Sequence, residues 1–117
     1  MIKKITSLND FYKIIKNNDV VLVDFSSKFC GPCKLQEREL EQLDRQYNGK
    51  IKIISIDINE HPKIAMKYGI MATPTLMFFK RGKRIMFKSR TQGRIDRFIG
   101  LRKYEQLIGP INYLISL

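Results

Sequence analysis

Leu8, Phe11, Ile14 and Ile15 recur at the three-to-four-residue spacing of a helix that buries one face. Ser7, with Asp10 three residues on, stands where such a helix needs a cap. Val20, Val21, Leu22, Val23, Asp24 and Phe25 then form an apolar run broken by one acid, the pattern of a strand covered on both faces. From about Pro32 to Tyr47 the residues Leu40, Leu43 and Tyr47 fall inward with charges elsewhere, which predicts a helix closed by Asn48 and Gly49. Residues 51–58 read as a second β-branched strand. Asn59 is placed to cap a short helix through Tyr68, stopped by Gly69. Helix, strand, helix, strand, helix is the α/β order, in which helices carry the chain between parallel strands.

From Thr75 the pattern changes. Leu76 to Phe79, a basic tip of Lys80, Arg81, Gly82 and Lys83, and a return through Arg84, Ile85, Met86 and Phe87 predict an extended β-hairpin. A further extended stretch is expected around 95–99 and a helix over 102–117. Pro110 inside that helix removes a backbone donor and crowds the preceding turn, so with Gly109 beside it a kink or break is expected. No repeat, linker or low-complexity segment interrupts the chain, and 117 residues fit one domain spanning 1–117.

Composition narrows the setting. No apolar run approaches bilayer length, and the basic start at Lys3 and Lys4 is not followed by the apolar region of a signal peptide. The reading is a protein without a membrane anchor that stays in the cytoplasm. The two cysteines, Cys30 and Cys33, are both spent on one short motif, which argues for a reducing compartment and thiol chemistry over a disulfide scaffold. A zinc site needs about four ligands, and only His61 remains to join them, so no metal is expected. The formal net charge of +11 implies attraction to acidic proteins, nucleic acid or anionic lipid, and is silent on fold.

The motif Phe29-Cys30-Gly31-Pro32-Cys33-Lys34 follows a buried strand and opens a helix. Cys30 would then lie at a helix N-terminus, where unpaired N–H groups and the helix dipole favour a thiolate, with Lys28 and Lys34 adding positive charge. Cys33, one turn in, should be more buried and less acidic. That asymmetry suits an exchange in which Cys30 attacks a target disulfide and Cys33 resolves the mixed disulfide. The second step needs a base near a buried thiol. Asp24 is the candidate, since burial raises a carboxyl pKa toward neutrality. On the strand pattern alone it reads equally well as a salt-bridged acid.

These residues resemble the thioredoxin family. The match runs through Val23-Asp24-Phe25, Cys30-Gly31-Pro32-Cys33-Lys34, Ile56-Asp57, Lys67-Tyr68-Gly69-Ile70 and Thr73-Pro74-Thr75-Leu76, then Phe79-Lys80, Gly82 and Gly100. The resemblance implies a thioredoxin fold, a central mixed β-sheet with helices on both faces, and a protein-disulfide reductase that maintains cell redox homeostasis. It implies a cis peptide bond before Pro74, Thr73 offering its backbone to an extended substrate, and Phe29, Gly69, Ile70, Met71 and Gly100 around the groove. No bound cofactor is implied. Electrons would come from NADPH through a flavin-dependent thioredoxin reductase, the partners would be disulfide-containing proteins, and the form would be a monomer.

The chain departs from the family in four places. Phe29 stands where tryptophan is usual, Ile53 where a lysine often partners the buried acid, and Arg38 where a proline kinks the helix. Between Gly82 and Gly100 the segment is longer than the family's and carries Lys83, Arg84, Lys88, Arg90, Arg94 and Arg97 against Asp96 alone. Such cations blunt an edge strand against aggregation, or they form a docking patch for an acidic partner or, less readily, nucleic acid. The alternative to a general reductase is thus a binding module or dedicated reductase docking through the basic stretch that runs from Lys80 to Lys103.

Overall fold

In the computed structural model, which describes residues 2–117, a mixed sheet is built outward from the apolar run at Val20. Strand β1 is Lys3–Lys4, helix α1 Leu8–Asn17, strand β2 Val20–Ser26, helix α2 Gly31–Tyr47, strand β3 Lys52–Asp57 and helix α3 Pro62–Lys67. Strand β4 is Thr75–Lys80, β5 Lys83–Arg84, β6 Phe87–Ser89, β7 Gly93–Ile95, β8 Arg97–Ile99, and helix α4 Tyr104–Ser116. The order across the sheet is β1, β3, β2, β4, with β5 and β8 both pairing with β4. The β1–β3 and β2–β3 pairs are parallel, whereas β4 runs antiparallel to β2. No helix among the described residues is long and apolar enough to cross a membrane.

Alternation along β2 divides the core. Val21, Val23 and Phe25 join Phe11, Ile14 and Ile15 of α1 and Ile64 of α3 on one face. Val20 and Leu22 join Leu40 and Leu43 of α2 and Leu107, Ile111 and Leu114 of α4 on the other. The expected mixed sheet with helices on both faces is what forms. Asp24 follows Leu22 by two residues and is buried, so the strand's one acid belongs to the face that α2 covers.

Local signals set most boundaries. Ser7 Oγ accepts from the Asp10 N–H at 3.0 Å and starts α1, and α2 ends on Asn48 and Gly49, both with positive φ. Three expectations are corrected. Asn59 does not cap α3: its N–H and that of Glu60 bond instead to Asp57 Oδ1, at 2.8 and 3.1 Å, and the helix starts at Pro62. Proline at a first helical position has its φ already set, so the turn from Asp57 delivers the chain there. The last helix starts at Tyr104 and runs through Pro110 without a break. Leu107 before the proline and Ile111 and Leu114 after it are all fully buried, and that shared packing outweighs one lost hydrogen bond.

The third correction concerns the basic hairpin. Its tip is a two-residue turn in which Arg81 and Gly82 both have positive φ, with Arg81 N–H bonded to Asp19 O at 2.8 Å. Its return arm pairs with β4 over Lys83 and Arg84 and makes one further backbone bond, from Ile85 N–H to Phe78 O at 2.9 Å. The chain then leaves the sheet, and β6 and β7 form a separate two-stranded ribbon before β8 rejoins β4 at Thr75–Met77. The cause is aromatic. Phe87 and Phe98 sit 5.6 and 6.1 Å from the Phe78 ring, which folds the ribbon over the end of the α4-side core.

Candidate active site

Strand β2 ends at Ser26, and a short loop later Cys30 occupies the N-cap position of α2, with Pro32 in the first turn. Cys30 and Cys33 are joined by a disulfide, so the structure is the oxidised form. Cys30 is half-buried, whereas Cys33 is 3% exposed, the asymmetry the motif predicts. The Cys33 N–H points at Cys30 Sγ from 3.2 Å, a helix-end donor aimed at the atom that would carry charge as a thiolate. Lys28 and Lys34 are exposed, and Lys28 Nζ lies 3.6 Å from Glu60 Oε1, which spends part of its charge.

The loop before β4 faces this turn. Thr73 O lies 3.4 Å from Cys30 Sγ, and the Thr73–Pro74 peptide is cis, as the resemblance implied. Gly100 N–H bonds to Pro74 O at 2.8 Å, so the return of the chain from β8 is tied to the same loop. Around them Phe29 is 95% and Met71 93% exposed, far more than their own packing requires of large apolar side chains. Gly69 is exposed as well. Ile70 is only half-exposed and packs partly against the α1 and α3 core, so it serves the rim less than Met71 does.

Asp24 pairs in register with Ser55 of β3 and Leu76 of β4, and it is 2% exposed. Its Oδ1 has no hydrogen-bond partner among the described residues. Burial, and then the nearby Glu37 carboxylate, push its pKa up from 3.8 to about 7. Ile53, buried on the same face, supplies no cation to oppose this. A depression of about 300 Å³ lies beside it, lined by Cys33, Glu37, Ser26 and Ser55 among others. Ser26 and Ser55 are the neighbours of Asp24 along and across the sheet, so solvent comes close to both the acid and Cys33 from this side.

Two residues matter more than the sequence reading allowed. Gln36 is fully buried, with Nε2 donating to Arg102 O and Oε1 accepting from Arg102 N–H, both at 2.8 Å. This pair of bonds fastens the second turn of α2 to the segment just after Gly100, and so holds two sides of the site together. Its spacing was the available signal: Cys33, Gln36, Leu40 and Leu43 lie on one helix face, and a polar residue there requires a partner. Gln36→Leu keeps the volume but strands the Arg102 N–H and carbonyl, and is expected to cost about 2 kcal/mol. Urea unfolding followed by circular dichroism measures it. Glu37 is the second, through its effect on Asp24.

Comparison with known proteins agrees with this geometry. The family model described as Thioredoxin matches residues 2–107. The chain belongs to the thioredoxin family. It is 37% identical over 115 residues to the thioredoxin of Pyropia yezoensis, covering 98% of each chain. The thioredoxin of Rickettsia felis is 34% identical over 105 residues, which is 89% of this chain and 90% of that relative. Among solved structures, oxidised thioredoxin from Plasmodium falciparum superposes with a TM-score of 0.76 at 28% identity, covering 97% of each chain. A mutant thioredoxin from Halobacterium salinarum reaches 0.82 at 27% identity, over 98% of this chain and 91% of that one. With its Cys30–Cys33 pair placed as a thioredoxin dithiol, the chain is a protein-disulfide oxidoreductase.

Proposed function

We propose that the protein works in the reducing direction on disulfides of other proteins, as a monomer in the cytoplasm, and so serves cell redox homeostasis. What carries this reading is the Cys33 N–H held 3.2 Å from Cys30 Sγ at the start of α2, with the Thr73 carbonyl 3.4 Å from the same sulfur. In the reduced protein the Cys30 thiolate attacks one sulfur of the target disulfide. A Cys30–target bond forms, and the second target cysteine leaves as a thiolate. Cys33 then gives its proton to the Asp24 carboxylate, with solvent in the depression that Cys33 lines as the carrier. The Cys33 thiolate attacks Cys30 Sγ, the bond to the target breaks, and the target departs with both thiols reduced. The Cys30–Cys33 disulfide that remains is the state described above.

Substrate binding follows from the rim. An extended target segment lies along Thr73 and Pro74 with its neighbours over Phe29, Met71 and Gly100, and Gly69 and Ile70 border it. Gly31 and Pro32 between the cysteines resemble the reducing members of the family, whose potentials lie near −270 mV against about −120 mV for the strong oxidants. The restriction of both cysteines to the motif supports a reducing compartment.

Recharging is assigned to NADPH through a flavin-dependent thioredoxin reductase. A coupled assay tests it: purified protein, such a reductase, NADPH and a disulfide substrate. NADPH consumption is expected to rise several-fold above the reductase alone and to stop when Cys30 is alkylated. Consumption that never exceeds the reductase background contradicts the assignment.

A further inference from the structure

Beside the substrate groove, β8 and the β6–β7 ribbon enclose a concavity of about 480 Å³ that none of the exchange steps uses. Arg84, Arg94, Arg97 and Arg102 converge on it, Asp96 is its one acid, and Ile99 adds an apolar wall that is 58% exposed. Two of the four guanidiniums are bonded to the groove itself. Arg97 Nη1 donates to Gly69 O at 3.3 Å, and Arg102 Nη1 donates to Ile99 O at 3.0 Å and Gly100 O at 3.4 Å. The concavity therefore continues the groove rim and is not a separate face.

Its charge is only partly neutralised. Asp96 takes Arg84 at 2.9 Å and Arg97 at 2.7 Å. No carboxylate lining the concavity remains for Arg94 or Arg102. Arg94 also stands directly across the ribbon from Lys88, and both are exposed. Like charges opposite one another destabilise a strand pair, so the ribbon's own stability does not account for them. Phe87 packs on the α4-side core, whereas Ile95, its partner across the ribbon, lines the concavity and extends the apolar wall that Ile99 provides.

We infer that this concavity is a substrate subsite that takes Asp or Glu side chains flanking the target's disulfide, so that disulfides in acidic segments are reduced in preference to neutral ones. The inference rests on the disulfide-reduction reading and names a class of target for it. An extended peptide advances about 3.3 Å per residue, so a chain held at Thr73 passes Gly100 and reaches Ile99 within about four residues of its cysteine. Its carboxylates meet Arg94 and Arg102, and an apolar neighbour rests on Ile99. Nucleic acid fits less well, because Asp96 sits among the arginines where a phosphate track would need unbroken positive charge.

The test compares two synthetic peptide disulfides, identical except that Asp and Glu near the cysteine in one are Asn and Gln in the other. At low ionic strength the protein is expected to reduce the acidic peptide with about tenfold higher kcat/KM, a ratio that shrinks as salt is added. Arg94→Glu should bring that ratio close to one and Arg94→Gln to an intermediate value. Lys13→Glu makes the same change in net charge on exposed α1 and should leave the ratio intact. Equal rates for the two peptides in the parent protein overturn the subsite. So does an equal loss of preference in Lys13→Glu, which would assign the effect to overall charge. Tight oligonucleotide binding abolished by Arg94→Glu, with no peptide preference, would replace the acidic segment by nucleic acid. If neither peptide is reduced at all, the disulfide-reduction reading falls together with the subsite.

Discussion

An Asp24→Asn variant is expected to be more stable than the parent protein at pH 8 by about 4 kcal/mol, and to lose that advantage by about pH 4. The carboxyl has a folded-state pKa of about 7 against an ordinary value of 3.8, and Oδ1 has no partner among the described residues to offset its burial. The sign follows from proton counting. Between those two values the folded protein holds the Asp24 proton while the unfolded chain has released it, so stability falls as pH rises through that window. Above about 7 the full penalty is present. Below the lower value both states are protonated and the penalty vanishes. Asparagine carries no charge, so the variant is flat where the parent slopes. Urea unfolding of the oxidised proteins at both pH values, followed by circular dichroism because the chain lacks tryptophan, measures the difference. Parallel pH profiles for parent and variant would mean that Asp24 is not held in this state. In the proposed mechanism Asp24 accepts the Cys33 proton, so the variant, though more stable, is also expected to resolve mixed disulfides more slowly near neutral pH.

Cys30→Ser and Cys33→Ser are both expected to lose steady-state turnover by at least about a thousandfold, but in different ways. Without Cys30 the half-buried nucleophile at the start of α2 is gone, and no covalent intermediate forms. Without Cys33 the first attack still proceeds, because the helix-end N–H at position 33 is backbone and survives the substitution. The reaction then stops at the Cys30–target disulfide, since serine cannot displace a thiolate from sulfur. A target-sized mass increase on a non-reducing gel, present in Cys33→Ser and absent in Cys30→Ser, separates the two roles. An adduct in Cys30→Ser would reverse the assignment of nucleophile and resolving thiol.

The parts of this site that were legible in the sequence share one property: each is set by local chain chemistry. The buried run at Val20 with a single acid placed Asp24, and the strand-to-helix context of Cys30 placed the thiol at a helix N-terminus. The outcome at Pro110 was not local. A proline reads as a breaker in sequence, and only the burial of Leu107, Ile111 and Leu114 against the sheet shows why α4 continues. The basic segment departs from its local pattern for a similar reason. Its alternation is that of a long hairpin, but Phe87 and Phe98 gather on Phe78 and draw it into a separate ribbon. Gln36 lay in plain view as a polar residue on an inward helix face, whereas its partner, the Arg102 backbone, is 66 residues away and invisible to any local rule.

The central claim, that Cys30 and Cys33 reduce protein disulfides by exchange, is tested most directly by insulin disulfide reduction with dithiothreitol as the electron source. Parent protein, Cys30→Ser and Cys33→Ser are compared at equal concentration. Fast precipitation of the reduced insulin B chain with the parent, and dithiothreitol background with both variants, is the predicted result. A parent protein no faster than dithiothreitol alone, or a variant that keeps the parent's rate, would contradict it.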